Sequence, residues 1–359
     1  MSYYFVARSI ISRRIFISSI LALLLLAGCG MKAENLTKEH MGRRVGDYDI
    51  DGMNLAYVWY PAQHVSTQGH VVVHDLISGA EKEVESDLTG PMAMCDGRVV
   101  WWNARERDAD QISDIIVYDI DDKKRTVIAH AKVQDLDADG GHIVWSETYE
   151  SYASDIILYD VESGEQRAIS SGGKEGDIMH RNPRMGDGTI AWEAYGRNTG
   201  TSKIAIYNIE SDELSTIDVP HDRPRLSVSG DYVVYCVRRG GTQDVHLYNI
   251  STKTDEVIAS LDRLEGTPYI EGDTVAWCEH VRKEDFKGIP GQPLMDERDI
   301  CDVFVYNVGS GNKRIRANYL MSIGGKVGVH SGRVYLPVYR EYPPPGSSNM
   351  VMPVDLLVW

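Results

Sequence analysis

The sequence predicts an all-β protein, a seven-bladed β-propeller of four-stranded blades. Three observations carry that prediction. Two short strand motifs alternate along the chain, each recurs at nearly constant spacing, and no helix of useful length separates them. Self-similarity with a period of about 40–50 residues is the mark of propeller arrays.

The first motif is a Gly or Asp turn, a short apolar run and an aromatic residue. It stands at 96–101 (DGRVVW), 141–145 (GHIVW), 187–192 (DGTIAW), 230–235 (GDYVVY) and 272–277 (GDTVAW), with weaker copies at 52–57 and 332–336. The second motif follows each first one. It stands at 70–75 (HVVVHD), 114–119 (DIIVYD), 155–160 (DIILYD), 203–208 (KIAIYN), 244–249 (DVHLYN), 302–307 (DVFVYN) and 355–359 (DLLVW). Its aromatic column advances by 44, 41, 48, 41, 58 and 53 residues. Both motifs are apolar on both faces, as befits a strand in a sheet packed between two neighbouring sheets.

Each repeat also supplies an innermost strand, often opened by a proline (Pro91, Pro183, Pro224, Pro268), and an outer fourth strand such as 125–128 or 166–169. A strand's first residue tolerates proline, because its missing N–H costs little there. The propeller is expected over residues 47–359. Its last repeat stops after the third strand, so the segment 33–46 is expected to supply the fourth and close the ring. Pairing the two ends would remove an open sheet edge.

Ahead of the repeats, residues 1–28 have signal-peptide anatomy. Arg8, Arg13 and Arg14 precede an apolar run, Ile15 to Leu26, that is short for a bilayer span and ends in small residues. Leu26-Ala27-Gly28-Cys29 resembles the lipobox of bacterial-type lipoproteins. The resemblance implies a lipid on Cys29, export, and membrane anchoring at the cell surface or in the periplasm, with 29–46 as anchored linker and closing strand. Gly30, rather than Asp, favours outer-membrane sorting if the cell has two membranes. Ser12-Arg13-Arg14-Ile15-Phe16-Ile17 resembles the twin-arginine export signal, and ordinary secretion stands beside it as the alternative.

The formal net charge is −16. An acidic surface repels nucleic acid and anionic lipid headgroups, which argues against both as partners. The expected partners are a protein or a glycan at the loop-rich face, with the chain a monomer.

The alternation of the two motifs, Gly-Asp-x-Val-x-Trp then Asp-Ile-x-x-Tyr-Asp, resembles the TolB-type propeller repeats of exported bacterial and archaeal proteins. The resemblance covers 47–359 and implies the fold, with a binding role as the main expectation. TolB's separate N-terminal α/β domain has no room here. Some propellers of this class are uronate lyases using arginine, histidine and a metal, so a lyase acting on acidic polysaccharide at the channel mouth is the alternative function.

No catalytic signature stands out. There is no G-x-S-x-G elbow, no HExxH-like spacing and no CxxC pair, and no cofactor or metal is expected. Residues 135–140 (DLDADG) open like a calcium loop, but position 146 is serine where the closing Glu should be, and the run coincides with a blade turn. The candidate ligand site is the pair of links carrying His180, Arg181 and Arg184, and His221, Arg223 and Arg225. Guanidinium forks bind carboxylates bidentately, which suits an anion or sugar-acid pocket. The competing reading pairs these arginines with acids such as Glu175 or Asp222. Cys278 and Cys301 flank the blade-six insertion and are candidates for a disulfide, with free buried thiols as the alternative.

Overall fold

A computed structural model describes residues 34–35, 44–60, 69–88, 90–104, 112–149, 153–173, 176–219, 224–239, 242–261, 264–280, 300–320, 327–330, 333–339 and 354–358. Every regular element among them is a β-strand. The strands form five four-stranded sheets and one eight-stranded sheet, built of antiparallel neighbours in chain order except where Glu34–Asn35 joins the last strands of the chain and where the eight-stranded sheet is joined in its middle. The eight-stranded sheet is two such meanders, joined where Ser154 pairs in parallel with Met179. The innermost strands touch in sequence around a ring, and the first, Arg44–Asp51, also touches the last, Gly328–His330.

The Asp-Gly turns explain why the first motif folds as it does. Asp96 and Gly97 have φ of 45° and 72°, and Asp187 and Gly188 have 52° and 78°. Two successive positive φ values are what a tight hairpin with the natural strand twist requires. The turn returns the chain into the run that ends in Trp101 or Trp192, both fully buried. Trp145, Tyr235 and Trp277 are equally enclosed.

The core lies between blades. Ala56, Val58, Val71 and Val73 of the first blade pack against Met92, Met94, Val99 and Trp101 of the second. Ala276, Cys278 and Val303 meet Val327, Val329 and Val334 in the same way. This is why the strands are apolar on both faces. The outer strand Lys124–Ala131 is mostly exposed and opens with Lys124 and Arg125, charges that discourage pairing with another chain.

Ring closure uses the expected segment. Glu34–Asn35 pairs antiparallel with Val354–Val358, Glu34 opposite Val358 and Asn35 opposite Leu357. The first inner strand begins at Arg44, three residues before the expected start.

Two of the four prolines depart from expectation. Pro91 and Pro224 immediately precede the strands Met92–Cys95 and Arg225–Ser229. Pro183 lies inside Ile178–Gly186, where the register slips between Arg181 and Arg184, and Pro268 lies inside Leu264–Glu271, where it slips between Glu265 and Tyr269. A bulge leaves a residue unpaired, so proline's missing N–H breaks no ladder bond there.

The cysteine register also differs from the facing arrangement expected. Cys278 pairs with Val303, and Cys301 pairs with His280, so the two are offset by two residues. Such diagonal neighbours stand about 7–8 Å apart, beyond the usual disulfide span. Cys278 is a buried free thiol.

Candidate functional site

The inner strands leave one sheet edge facing the channel, and its N–H groups need acceptors. Side chains from the preceding blade supply them. Asp49 accepts from Met94 N at 2.8 Å and Asp51 from Gly97 N at 2.6 Å. Asp47 accepts more weakly from Met92 N at 3.3 Å. Around the ring, Asp137 accepts from Met185 N at 3.0 Å and Asp139 from Asp187 N at 2.8 Å. Ser227 and Ser229 do the same for Ile270 N and Gly272 N. Asp137 and Asp139 of the run 135–140 therefore work in a blade-to-blade ladder, and no group of three or more metal-capable side chains occurs among the described residues.

These strands enclose a channel of about 500 Å³. At the end where the inner strands turn back, Asp51, Asp96, Asp139, Asp187, Glu271 and His330 line it. Burial raises the Asp139 pKa, with Asp187, Asp137 and Asp96 adding to it against the opposing Asp187 N–H. His330 Nδ1 lies 3.3 Å from Glu271 Oε1. Burial alone would lower the His330 pKa, but Glu271, with Asp51 and Asp49 behind it, raises it overall.

The opposite end is basic. A cavity of about 410 Å³ is lined by Arg184, Arg225 and Arg238, with Asn182, Pro224 and Gln243. It shares Arg184, Leu226 and Thr267 with the channel. No carboxylate of the described residues lines it. Arg184 follows the bulge and donates from Nη1 to Pro183 O at 2.7 Å, which orients its guanidinium. Arg225 pairs in register with Cys236, and Arg238 with Gln243. Because side chains alternate along a strand, Arg225, Cys236, Arg238 and Gln243 all lie on one face of the fifth blade.

The structure thus brings Arg184 and Arg225 together and leaves His180 and Arg181 outside. His180 is 5% exposed. Its Nε2 donates to Ser171 O at 3.0 Å, and its Nδ1 accepts from Trp192 Nε1 at 2.9 Å. Burial lowers its pKa, so it serves as a neutral partner for the one tryptophan of the column placed against it. Arg181 makes a two-pronged pair with Glu193, at 2.7 and 2.8 Å, and Glu193 is fully buried. That partner belongs to the same blade and is neither Glu175 nor Asp222. His221, Arg223 and Cys29 lie outside the described residues, as do residues 1–28 and the Cys301 side chain.

Arg238 and Gln243 were missed by motif reading, because they sit in a hairpin, not in the link. Strand alternation offers the signal that finds them. Arg238 is two residues beyond Cys236, the partner of Arg225, and so falls on its face.

No family model matches the chain, and no curated protein matches it. Solved structures do. The β-propeller domain of the trilobed protease from Pyrococcus furiosus is similar at 12% identity with a TM-score of 0.59, over 91% of this chain and 94% of that one. The chain is a β-propeller. Oligogalacturonate lyase in complex with manganese is similar at 12% identity with a TM-score of 0.57, over 92% and 93% of the two chains. TolB from Acinetobacter baumannii is similar at 15% identity with a TM-score of 0.44, over 59% of this chain. The match spans 53% of TolB, about half its length.

Proposed function

We propose that this propeller is an exported, lipid-anchored binding module that holds a carboxylate-bearing glycan or protein at its arginine-lined mouth. One observation carries the reading. In a chain of net charge −16, three arginines line one cavity and no described carboxylate lines it with them. Guanidinium forks gathered on one cavity suit a bidentate anion. The anchor rests on Cys29 and the lipobox-like residues before it, with membrane attachment through that lipid. The net negative charge repels nucleic acid, and the chain acts as a monomer.

A uronate-terminated oligosaccharide titrated calorimetrically tests the mouth. Charge-assisted hydrogen bonds contribute about 1.5–3 kcal/mol each. Arg184→Ala and Arg225→Ala should therefore weaken binding about tenfold or more while the melting temperature holds. Variants that bind as tightly as wild type overturn the glycan reading, and an acidic peptide showing the same arginine dependence would assign the mouth to a protein. For the anchor, Cys29→Ser should abolish partitioning into detergent and the lipid mass on the N-terminal peptide. An unmodified Cys29 in the membrane-extracted protein would remove it.

The lyase alternative has the likeness to oligogalacturonate lyase on its side, and at 12% identity that likeness concerns the fold. Binding is the better-supported reading, because the arginine cavity needs no further group to act.

A further inference from the structure

The mouth and the channel adjoin through Arg184, Leu226 and Thr267, yet their linings are opposite in charge. Asp47, Asp135 and Asp137 line the channel together with Arg184. Asp47 and Asp137 each commit an oxygen to the ladder. Asp135 does not. The ladder offset of 48 residues takes Asp137 to Met185 and Asp139 to Asp187. The same offset takes Asp135 to Pro183, which has no N–H to give. The Asp135 carboxylate is left to the channel, on a half-buried strand residue beside the start of the arginine mouth.

We propose that the mouth selects a ligand with one leading carboxylate followed by a neutral or cationic body, and that Asp135 is the residue that rejects a second carboxylate. This rests on the arginine-mouth reading above. A ligand carboxylate held by Arg184, Arg225 and Arg238 places the rest of the molecule against the acidic wall. A neutral sugar or an amine is accepted there, whereas a further uronate meets like charge in a partly enclosed space where screening is weak. Specificity built from such repulsion needs no additional attractive contact. The favoured class is a glycan bearing a single terminal uronate, and a fully charged polyuronate is disfavoured.

The test compares two trisaccharides by calorimetry: one with a single terminal glucuronate on neutral sugars, and trigalacturonate. Wild type should prefer the first by about tenfold, within the range of a like-charge contact at the edge of an enclosed space. Asp135→Asn should bring the two within about threefold by improving trigalacturonate, with the first ligand nearly unchanged. Raising salt should narrow the wild-type gap and leave the variant's flat. Asp135→Ser, which also removes the charge, must reproduce the result if Asn perturbs the strand. Equal or tighter wild-type binding of trigalacturonate overturns the selectivity and leaves the arginine mouth standing. A gap unchanged by both Asp135 substitutions also overturns it. If neither trisaccharide binds, or if Arg184→Ala leaves both affinities intact, the mouth reading falls and the selectivity falls with it.

Discussion

Arg181 and Arg184 stand three residues apart on one strand, on either side of a bulge, and do unlike work. Before the bulge, Arg181 is locked to a fully buried Glu193, and Tyr195 lies 5.8 Å beneath its guanidinium. After it, Arg184 donates to its neighbour's carbonyl and lines both cavities. The bulge carries the strained residue Asn182, with φ of 52°, and Pro183. It slips the register, so the two arginines do not fall on the strand as the regular alternation would place them. The same contrast holds along the channel. Where the next strand offers an N–H, an inner-strand acid is consumed in structure. Where it offers a proline, the side chain is free for other chemistry.

The largest expected effect tests the first contrast. Arg181→Ala strands a buried carboxylate and should cost about 3–5 kcal/mol in urea unfolding. Arg184→Ala should change stability by no more than about 0.5 kcal/mol while losing the binding described above. Equal costs for the two would erase the distinction.

The ladder supplies the next test. Asp49→Ala leaves Met94 N without its acceptor and should destabilise by about 1–3 kcal/mol. Asp135→Ala faces a proline and should stay within about 0.5 kcal/mol. If Asp135→Ala proves as costly as Asp49→Ala, Asp135 is a structural group and not a selective one.

The smallest effect concerns the acidic end. His330 has its folded pKa raised by Glu271, Asp51 and Asp49. A raised pKa adds stability that is fully present below the unfolded value of about 6.5 and is lost as pH rises through the folded value. Melting temperatures across about pH 6 to 8 should therefore fall more steeply for wild type than for His330→Gln. Parallel curves would show that the pair does not hold the strand Leu264–Glu271 to Gly328–His330.

The sequence made the strands and their grouping legible because each motif encodes its local geometry. Asp96-Gly97 and Asp187-Gly188 announce tight turns, and the short apolar runs ending in Trp101 and Trp192 suit strands buried on both faces. The link arginines were also legible, by composition. Their fates were not. Which of Arg181 and Arg184 would be consumed depended on Glu193, twelve residues away on the next strand, and on a one-residue slip in register.

By itself, then, the sequence determined a ring of repeated antiparallel sheets, the closing role of the segment around Glu34, and an unusual density of arginine at two links. Repetition and turn chemistry act over a few residues, so they survive being read in one dimension. Only the tertiary structure decided that Arg184 and Arg225 meet Arg238, that His180 and Arg181 belong to the framework, and that Cys278 faces Val303 rather than Cys301. Those outcomes depend on strand register and on which blade faces which, and a change of one residue in register turns every side chain to the opposite face.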